Sequence, residues 1–370
     1  MNLINQTGMA AGYTVSMDPD GREFLVVVVK GTFAFPKAEA DVPARAADQA
    51  DLVTTDESTG EPGFSAIRVE NDFPLRKPRC DVLLSGSAYS PGGRPTDRVT
   101  VSLRVGGMQK SFDVVGNRVW QAGAFTLATS KPEPFVRMPF GYDQAFGGVD
   151  RAKEDPATFR WYPTNFAGTG WHEYLDTKFL DGTPLPNTEE TGVPVKKPNG
   201  NYKPMAFGPL GRAWQQRARW AGTYDQKWRD EQYPFLPKDF DERYYQASAE
   251  DQWIEYPRGG EPVELLNLTP AGRTAFRLPA RPVTLEVFRR GGPREDLTTV
   301  VDTLLFEPDL GRFQMTWRCP IRLRRGLNEI HTVVASAWAP GTAPVRSPRG
   351  KLHYRSLAEL PVAVSPWAGK

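Results

Sequence analysis

Residues 98–115 read RVTVSLRVGGMQKSFDVV, and this stretch sets the fold class. Gly106-Gly107 can supply the positive φ angles of a two-residue hairpin turn. Folding the stretch there pairs Val105 with Met108, Leu103 with Lys110, Val101 with Phe112 and Val99 with Val114. The opposite face pairs Arg104 with Gln109, Ser102 with Ser111 and Thr100 with Asp113. One face is apolar save for Lys110 and the other is polar, a separation that a one-residue slip would scramble. Lys110 is expected either to snorkel to the sheet's edge or to meet a buried acid and fix that edge.

The same reading extends outward. Phe24 to Phe35 (FLVVVVKGTFAF) is a strand whose valine run predicts burial on both faces at its start. Asp81 to Ser87 is another. After Pro262, short strands follow over Val263–Leu268, Thr274–Leu278, Val283–Arg289, Leu297–Phe306, Arg312–Arg318 and Glu329–Ala337. Glu307 to Gly311 reads as a hairpin loop. With 34 Gly and 34 Pro in 370 residues, short elements joined by turns are expected and a helical bundle is not. The expected fold is mostly β, with two sheet-bearing lobes (sandwich- or barrel-like) over 1–130 and 261–340. Between them, 131–260 is an aromatic loop and short-helix segment, and 341–370 is a tail. Arg212 to Ala221 is expected to be helical, with Trp214, Ala218 and Ala221 on one face and Gly222 ending it. Thr223 and Gln226 have the spacing of a capping box for a second helix.

A net charge of +2, from 46 basic against 44 acidic residues, lacks the basic excess of a nucleic-acid binder. The one dense basic run, Arg318 to Arg325, reads as a solvated strand face. Cys80 and Cys319 lack CxxC spacing and sit in strand-like contexts that bury inert thiols, which fits a reducing cytoplasm. The first residues, MNLINQT, show no signal-peptide pattern, and no run of about 18 apolar residues suggests membrane insertion.

Catalytic spacing is missing. His172, His331 and His353 are too scattered for a zinc site, no G-x-S-x-G elbow occurs, and no phosphate-binding glycine loop is present. Between Asp225 and Trp253 carboxylates interleave with rings, which keeps a glycosidase or a carbohydrate-binding module as the alternative function. Ten Trp and 11% aromatic residues leave rings to spare for an interface, where Trp, Tyr and Arg anchor binding. On residue type, the partner-binding candidates are Trp171, Tyr174, Trp220, Trp228 and Tyr233.

Several stretches together carry a resemblance. They include Val29-Lys30-Gly31-Thr32-Phe33, Asp72-Phe73-Pro74, Lys77-Pro78, Asp81-Val82, and Val105-Gly106 with Lys110. Next come Pro134 to Gly148, with Phe146-Gly147-Gly148, and Gly208 to Asp225, with Trp214, Tyr224 and Asp225. Asp302-Thr303 and Trp317-Arg318 complete the set. In order and span they resemble a bacterial family first catalogued as a domain of unknown function, whose genes sit in type VI secretion clusters between those for the VgrG spike and PAAR-tipped toxins. The resemblance implies a cytoplasmic adaptor or chaperone that binds a PAAR-containing toxin effector and promotes its loading onto VgrG. It implies no enzymatic activity, no cofactor and no catalytic residue. Cys80 departs from the family pattern, where a small polar residue such as Thr is expected.

Overall fold

The computed structural model describes residues 1–123, 127–153 and 155–337, with the backbone of 345–346 and 352–353 paired as two short antiparallel strands. The rest of the expected tail lies outside the described residues. The chain is mostly β, and three sheets dominate. The six-stranded sheet runs, in order, Trp253–Ile254, Cys80–Leu84, Val300–Glu307, Arg312–Arg322, Glu23–Ala34 and Ala10–Met17. The five-stranded sheet runs Thr188–Glu189, Met108–Val115, Arg98–Val105, Pro262–Leu266 and Arg273–Arg277. The four-stranded sheet runs Asn2–Asn5, Ile330–Ala337, Val283–Arg289 and Arg294–Thr298. Each sheet keeps two edge strands, so none closes into a barrel.

Each of these sheets combines strands from 1–130 with strands from 261–337. Cys80–Leu84 pairs in parallel with Val300–Glu307, bringing Asp81 opposite Thr303. Arg98–Val105 pairs antiparallel with Pro262–Leu266. The expected strand over Leu297–Phe306 is two strands, Arg294–Thr298 and Val300–Glu307, in different sheets. One core joins all three sheets, with Val27, Val101, Leu265, Leu285, Phe313 and Val333 among its members.

The hairpin has the register its pattern dictates, from Arg98↔Val115 to Val105↔Met108. Gly106 has φ 59°, while Gly107 stays outside the positive region, as in a type II′ turn. Phe24 to Phe33 is buried on both faces. One face joins the main core through Leu25, Val27 and Val29; the other packs Phe24, Val26 and Val28 against Leu75, with Leu52, Phe73 and Tyr245 beside them.

That second face also carries a buried ion network. Lys30 Nζ lies 2.6 Å from Asp72 Oδ2. Lys77 Nζ lies 2.7 Å from Asp81 Oδ2 and 3.3 Å from Glu70 Oε2. Asp81 further accepts from Gln246 Nε2, the Ala247 and Ser248 amides and Ser248 Oγ. Arg318 pairs with Asp302 and donates to the Asp72 and Pro74 carbonyls. The solvated reading of the basic run is therefore wrong for Arg318, which is buried. Alternation along its strand turns it under the layer formed by residues 45–81, where a carboxylate and two carbonyls receive it. Burial raises the pKa of Glu70, but Arg217, Lys77 and Arg212 outweigh it and bring the carboxyl down to about 2.

Cys80 and Cys319 are free and buried, and burial pushes both thiols up, Cys319 to about 11. The helices are shorter than expected: Thr177–Leu180, Gln215–Ala218 and Gln226–Glu231. Of the predicted face of the second, Trp214 is buried but Ala218 is exposed. The chain buries Arg217 instead, because Glu70 lies 2.6 Å from its Nη2. Thr223 does not cap the third helix: its amide and hydroxyl both donate to Asp239. Asp225 takes the cap, accepting from the Trp228 amide at 2.8 Å. Among the described residues no helix is long and apolar enough to cross a membrane.

Candidate functional site: a charged cavity and an aromatic shelf

The central segment is organised by two ring clusters that lie against the sheets. In the first, Trp214 packs edge-on to Tyr142, with ring centroids 5.1 Å apart, and to Phe166. In the second, Phe146 meets Tyr162 at 5.1 Å and Tyr202 at 4.9 Å, over buried Trp120 and Leu185. The Phe146-Gly147-Gly148 stretch is architectural. Gly147 has φ 150°, and a Cβ there would meet the Asn165 carbonyl oxygen at 2.0 Å. Asn165 in turn donates through Nδ2 to the Tyr142 and Phe146 carbonyls. Only glycine lets these two loops close on each other.

Between the clusters and the five-stranded sheet lies a cavity of ≈ 600 Å³. Lys110, Tyr142, Leu210 and Ser248 form a buried floor, while Glu190, Lys203, Arg219 and Glu250 are exposed at the rim. Lys110 reaches across from the hairpin, with Nζ 3.0 Å from Asp251 Oδ1 and 2.7 Å from Gln252 Oε1. The acid expected for it exists, 141 residues away. Two details differ from expectation: Asp251 is partly exposed, and the lysine strand is an inner member of its sheet. The contact ties the sheet to the turn at 250–252; the outer neighbour Thr188–Glu189 pairs with the lysine strand only at Asp113 and Val114. Burial, opposed by Asp251 and aided by Lys203, pulls the Lys110 ammonium down to about 8. Asp251 also accepts from Lys203 Nζ at 2.9 Å. Burial pushes its carboxyl up, but the two lysines prevail and hold it below the usual range. A glycosidase's general acid needs a raised pKa, which this environment opposes.

The second feature is a shelf of rings around the third helix. Trp228 donates its Nε1 hydrogen to the Phe235 carbonyl. Tyr224 and Tyr233 stand edge-on to it, at 4.7 Å and 5.8 Å. Tyr233 is 68% exposed, Tyr224 52% and Phe235 40%. The Phe235 ring lies against Gly21, and Gln232 donates to the Pro19 carbonyl. The shelf thus abuts the loop between Ala10–Met17 and Glu23–Ala34. On that edge strand Tyr13, Val15 and Met17 are exposed on one face.

Of the five candidate interface residues, the structure brings together Trp228 and Tyr233. Trp220 is half-buried between the guanidinium groups of Arg219 and Arg243, the latter 3.5 Å from a ring centroid. Trp171 packs half-buried on Tyr162. Tyr174 sits under the Lys153 ammonium, with its amide donating to Asp150. Lys110, Phe146, Gly147, Gly148 and Trp214 are buried, whereas Tyr224 and Asp225 are exposed. Sequence reasoning missed Phe235 on the shelf and Tyr142, Tyr162 and Lys203 in the cavity. The one available signal was Lys110, the charge out of pattern in the hairpin. His172 is half-buried against Phe179, with its pKa lowered by burial, and His331 is exposed. The His353 side chain lies outside the described residues. Among the described residues no three His, Cys, Asp or Glu side chains are grouped to hold a metal ion.

No curated protein and no solved structure matches the chain. A family model does, over residues 20–318, and on that match the chain belongs to DUF2169, described as an uncharacterized protein conserved in bacteria.

Proposed function

We propose that this chain is a cytoplasmic, non-catalytic adaptor or chaperone that binds a PAAR-containing type VI secretion effector and promotes its loading onto the VgrG spike. The observation that carries the proposal is the shelf. Tyr224, Tyr233 and Phe235 hold large apolar surface in water around a hydrogen-bonded Trp228. Exposed rings of this type anchor protein interfaces, because they bury much area while losing few rotamers. The resemblance to a family encoded beside VgrG and toxin genes supplies the identity of the partner.

The ring geometry favours a protein partner over a sugar. A sugar-stacking platform presents coplanar faces, whereas here the interplanar angles are 70° for Tyr224–Trp228 and 88° for Trp228–Tyr233. Such rings form the walls of a socket for a side chain. The test is co-expression with the toxin encoded next to this chain, followed by pull-down and a secretion assay. Parent protein should retain toxin and support its export, and the Tyr233→Ala/Phe235→Ala variant should lose both while staying folded. Equal capture and export by parent and variant would overturn the shelf as the docking surface. Export of soluble toxin without this protein would overturn the adaptor role.

A further inference from the structure

We propose that the cavity beneath Lys203 is a binding site for a small organic monocarboxylate carried on an aromatic ring. This inference stands on the cavity alone and does not rest on the adaptor reading. Its ≈ 600 Å³ falls within the range of about 300–1,000 Å³ typical of small-molecule sites.

The charges set the ligand's sign. Two ammonium groups, Lys110 and Lys203, share the single carboxylate of Asp251. The other cations of the lining are already matched: Arg217 by Glu70, Arg219 by Glu250 and Arg243 by Asp241. Around Asp251 the ammonium groups therefore outnumber the carboxylates by one: Lys110 is buried and paired, and Lys203 carries the local excess at the exposed rim. Burial lowers the pKa of the Lys110 ammonium, with Asp251 opposing the shift and Lys203 adding to it. An entering carboxylate supplies what is missing. Glu190, at the rim without an ion pair among the described residues, balances the lining as a whole, so the excess is local to Asp251 and suits one negative charge and not the two of a phosphate.

The walls set the ligand's body. Tyr162 is fixed by its hydroxyl, which donates to the Tyr202 carbonyl at 2.7 Å, and by Phe146 behind it. Tyr142 is fixed by Trp214, and Trp253 by its Nε1 bond to the Ser248 carbonyl. Rings held this way meet a flat ligand without further ordering cost. Gln216 donates Nε2 to the Thr164 carbonyl, but its buried Oε1 has no partner among the described residues. It is an acceptor waiting for a ligand hydroxyl or amide.

Calorimetric titration of the full chain at pH 7 with N-acetyl-L-tyrosine and with N-acetyl-L-tyrosinamide tests this. The acid should bind about tenfold more tightly than the amide, which keeps the ring and loses the charge. Lys203→Ala, a rim substitution that spares the floor, should abolish the difference. Lys110→Met should do the same, and if it fails to fold, Lys203→Ala alone decides. Equal binding of acid and amide, no heat from either at its solubility limit, or an unchanged preference in Lys203→Ala would each overturn the proposal. A pentapeptide with a C-terminal tyrosine separates the sources. Tighter binding than the free acid assigns the carboxylate to a protein terminus, weaker binding assigns it to a small metabolite, and either supports the site.

Discussion

The ion network behind the six-stranded sheet and the aromatic shelf beside it each reverse the usual partition of residues. The network buries charge and the shelf exposes rings. They differ in how the reversal is resolved. Each buried charge in the network finds its counter-charge and hydrogen bonds within the chain, down to the amides of Ala247 and Ser248 on Asp81. The shelf rings touch one another at an edge and, through Phe235, the Gly21 loop, and leave much of their surface in water. The first arrangement is complete in one molecule; the second is the surface we propose a partner covers. The contrast also sorts the residues that carry the family resemblance. Lys30, Asp72, Lys77, Asp81, Asp302 and Arg318 all belong to the network. Of the shelf rings that carry the proposed binding, Tyr224 lies within a resembling stretch and Tyr233 and Phe235 lie outside.

Breaking the network should give the largest effect. Asp81→Ala leaves the Lys77 ammonium with the longer contact to Glu70 and the Thr303 hydroxyl, and orphans four donors. Chemical denaturation should show a loss of about 3–5 kcal/mol. Acid should attack the same place. Glu70 has its folded pKa depressed from 4.5 to about 2, so its contribution is fully present above pH 4.5 and is lost as pH falls toward 2. Denaturation midpoints taken across that window should fall in the parent and fall less in Glu70→Gln, measured from its own lower starting point.

Lys110 gives the next effect, with the same sign but in a higher pH window. Its folded pKa, about 8, lies below the ordinary 10.5, so between those values the unfolded chain binds more protons. Its contribution should therefore grow as pH rises from 8 to 10.5, by on the order of 3 kcal/mol. The groups that face it are Asp251 and Lys203, with Gln252 as the neutral acceptor. Subtracting the stability profile of Lys110→Met from that of the parent isolates the slope, and a flat difference would refute it.

On the shelf, Tyr233→Ala should change unfolding free energy by no more than about 0.5 kcal/mol, as expected for an exposed site. Toxin binding should weaken by about 2 kcal/mol or more. If stability falls as far as binding, the shelf belongs with the network as scaffold. The smallest effect is at the cap: Asp225→Ala should cost about 1 kcal/mol by denaturation, and Thr223→Val should leave the third helix's N-terminus hydrogen-bonded.

What the sequence made legible follows from the range of the interactions. The hairpin register could be read because its pairing is local and a period of two exposes any slip. The burial of Glu23–Ala34 could be read because its valine run has no polar face. The parallel pairing of Asp81 with Thr303 left no mark on either strand's pattern. Arg318 was misread because a basic run looks solvated until the layer covering it is known. At the cavity, Lys110 stood out against the hairpin pattern, yet nothing local could point to Asp251. At the shelf, residue type found Trp228 and Tyr233 but could not separate them from Trp171, which packs on Tyr162.

The interleaving of distant strands has a consequence for synthesis. Glu23–Ala34 pairs with Arg312–Arg322, and Cys80–Leu84 with Val300–Glu307. Neither large sheet can be completed until most of the chain has left the ribosome, and such non-local closure is slow. In the interval the valine-rich strand has its antiparallel partner Ala10–Met17 on one side and nothing on the other. A protein proposed to shelter another during its assembly thus passes through a stage in which it needs shelter itself.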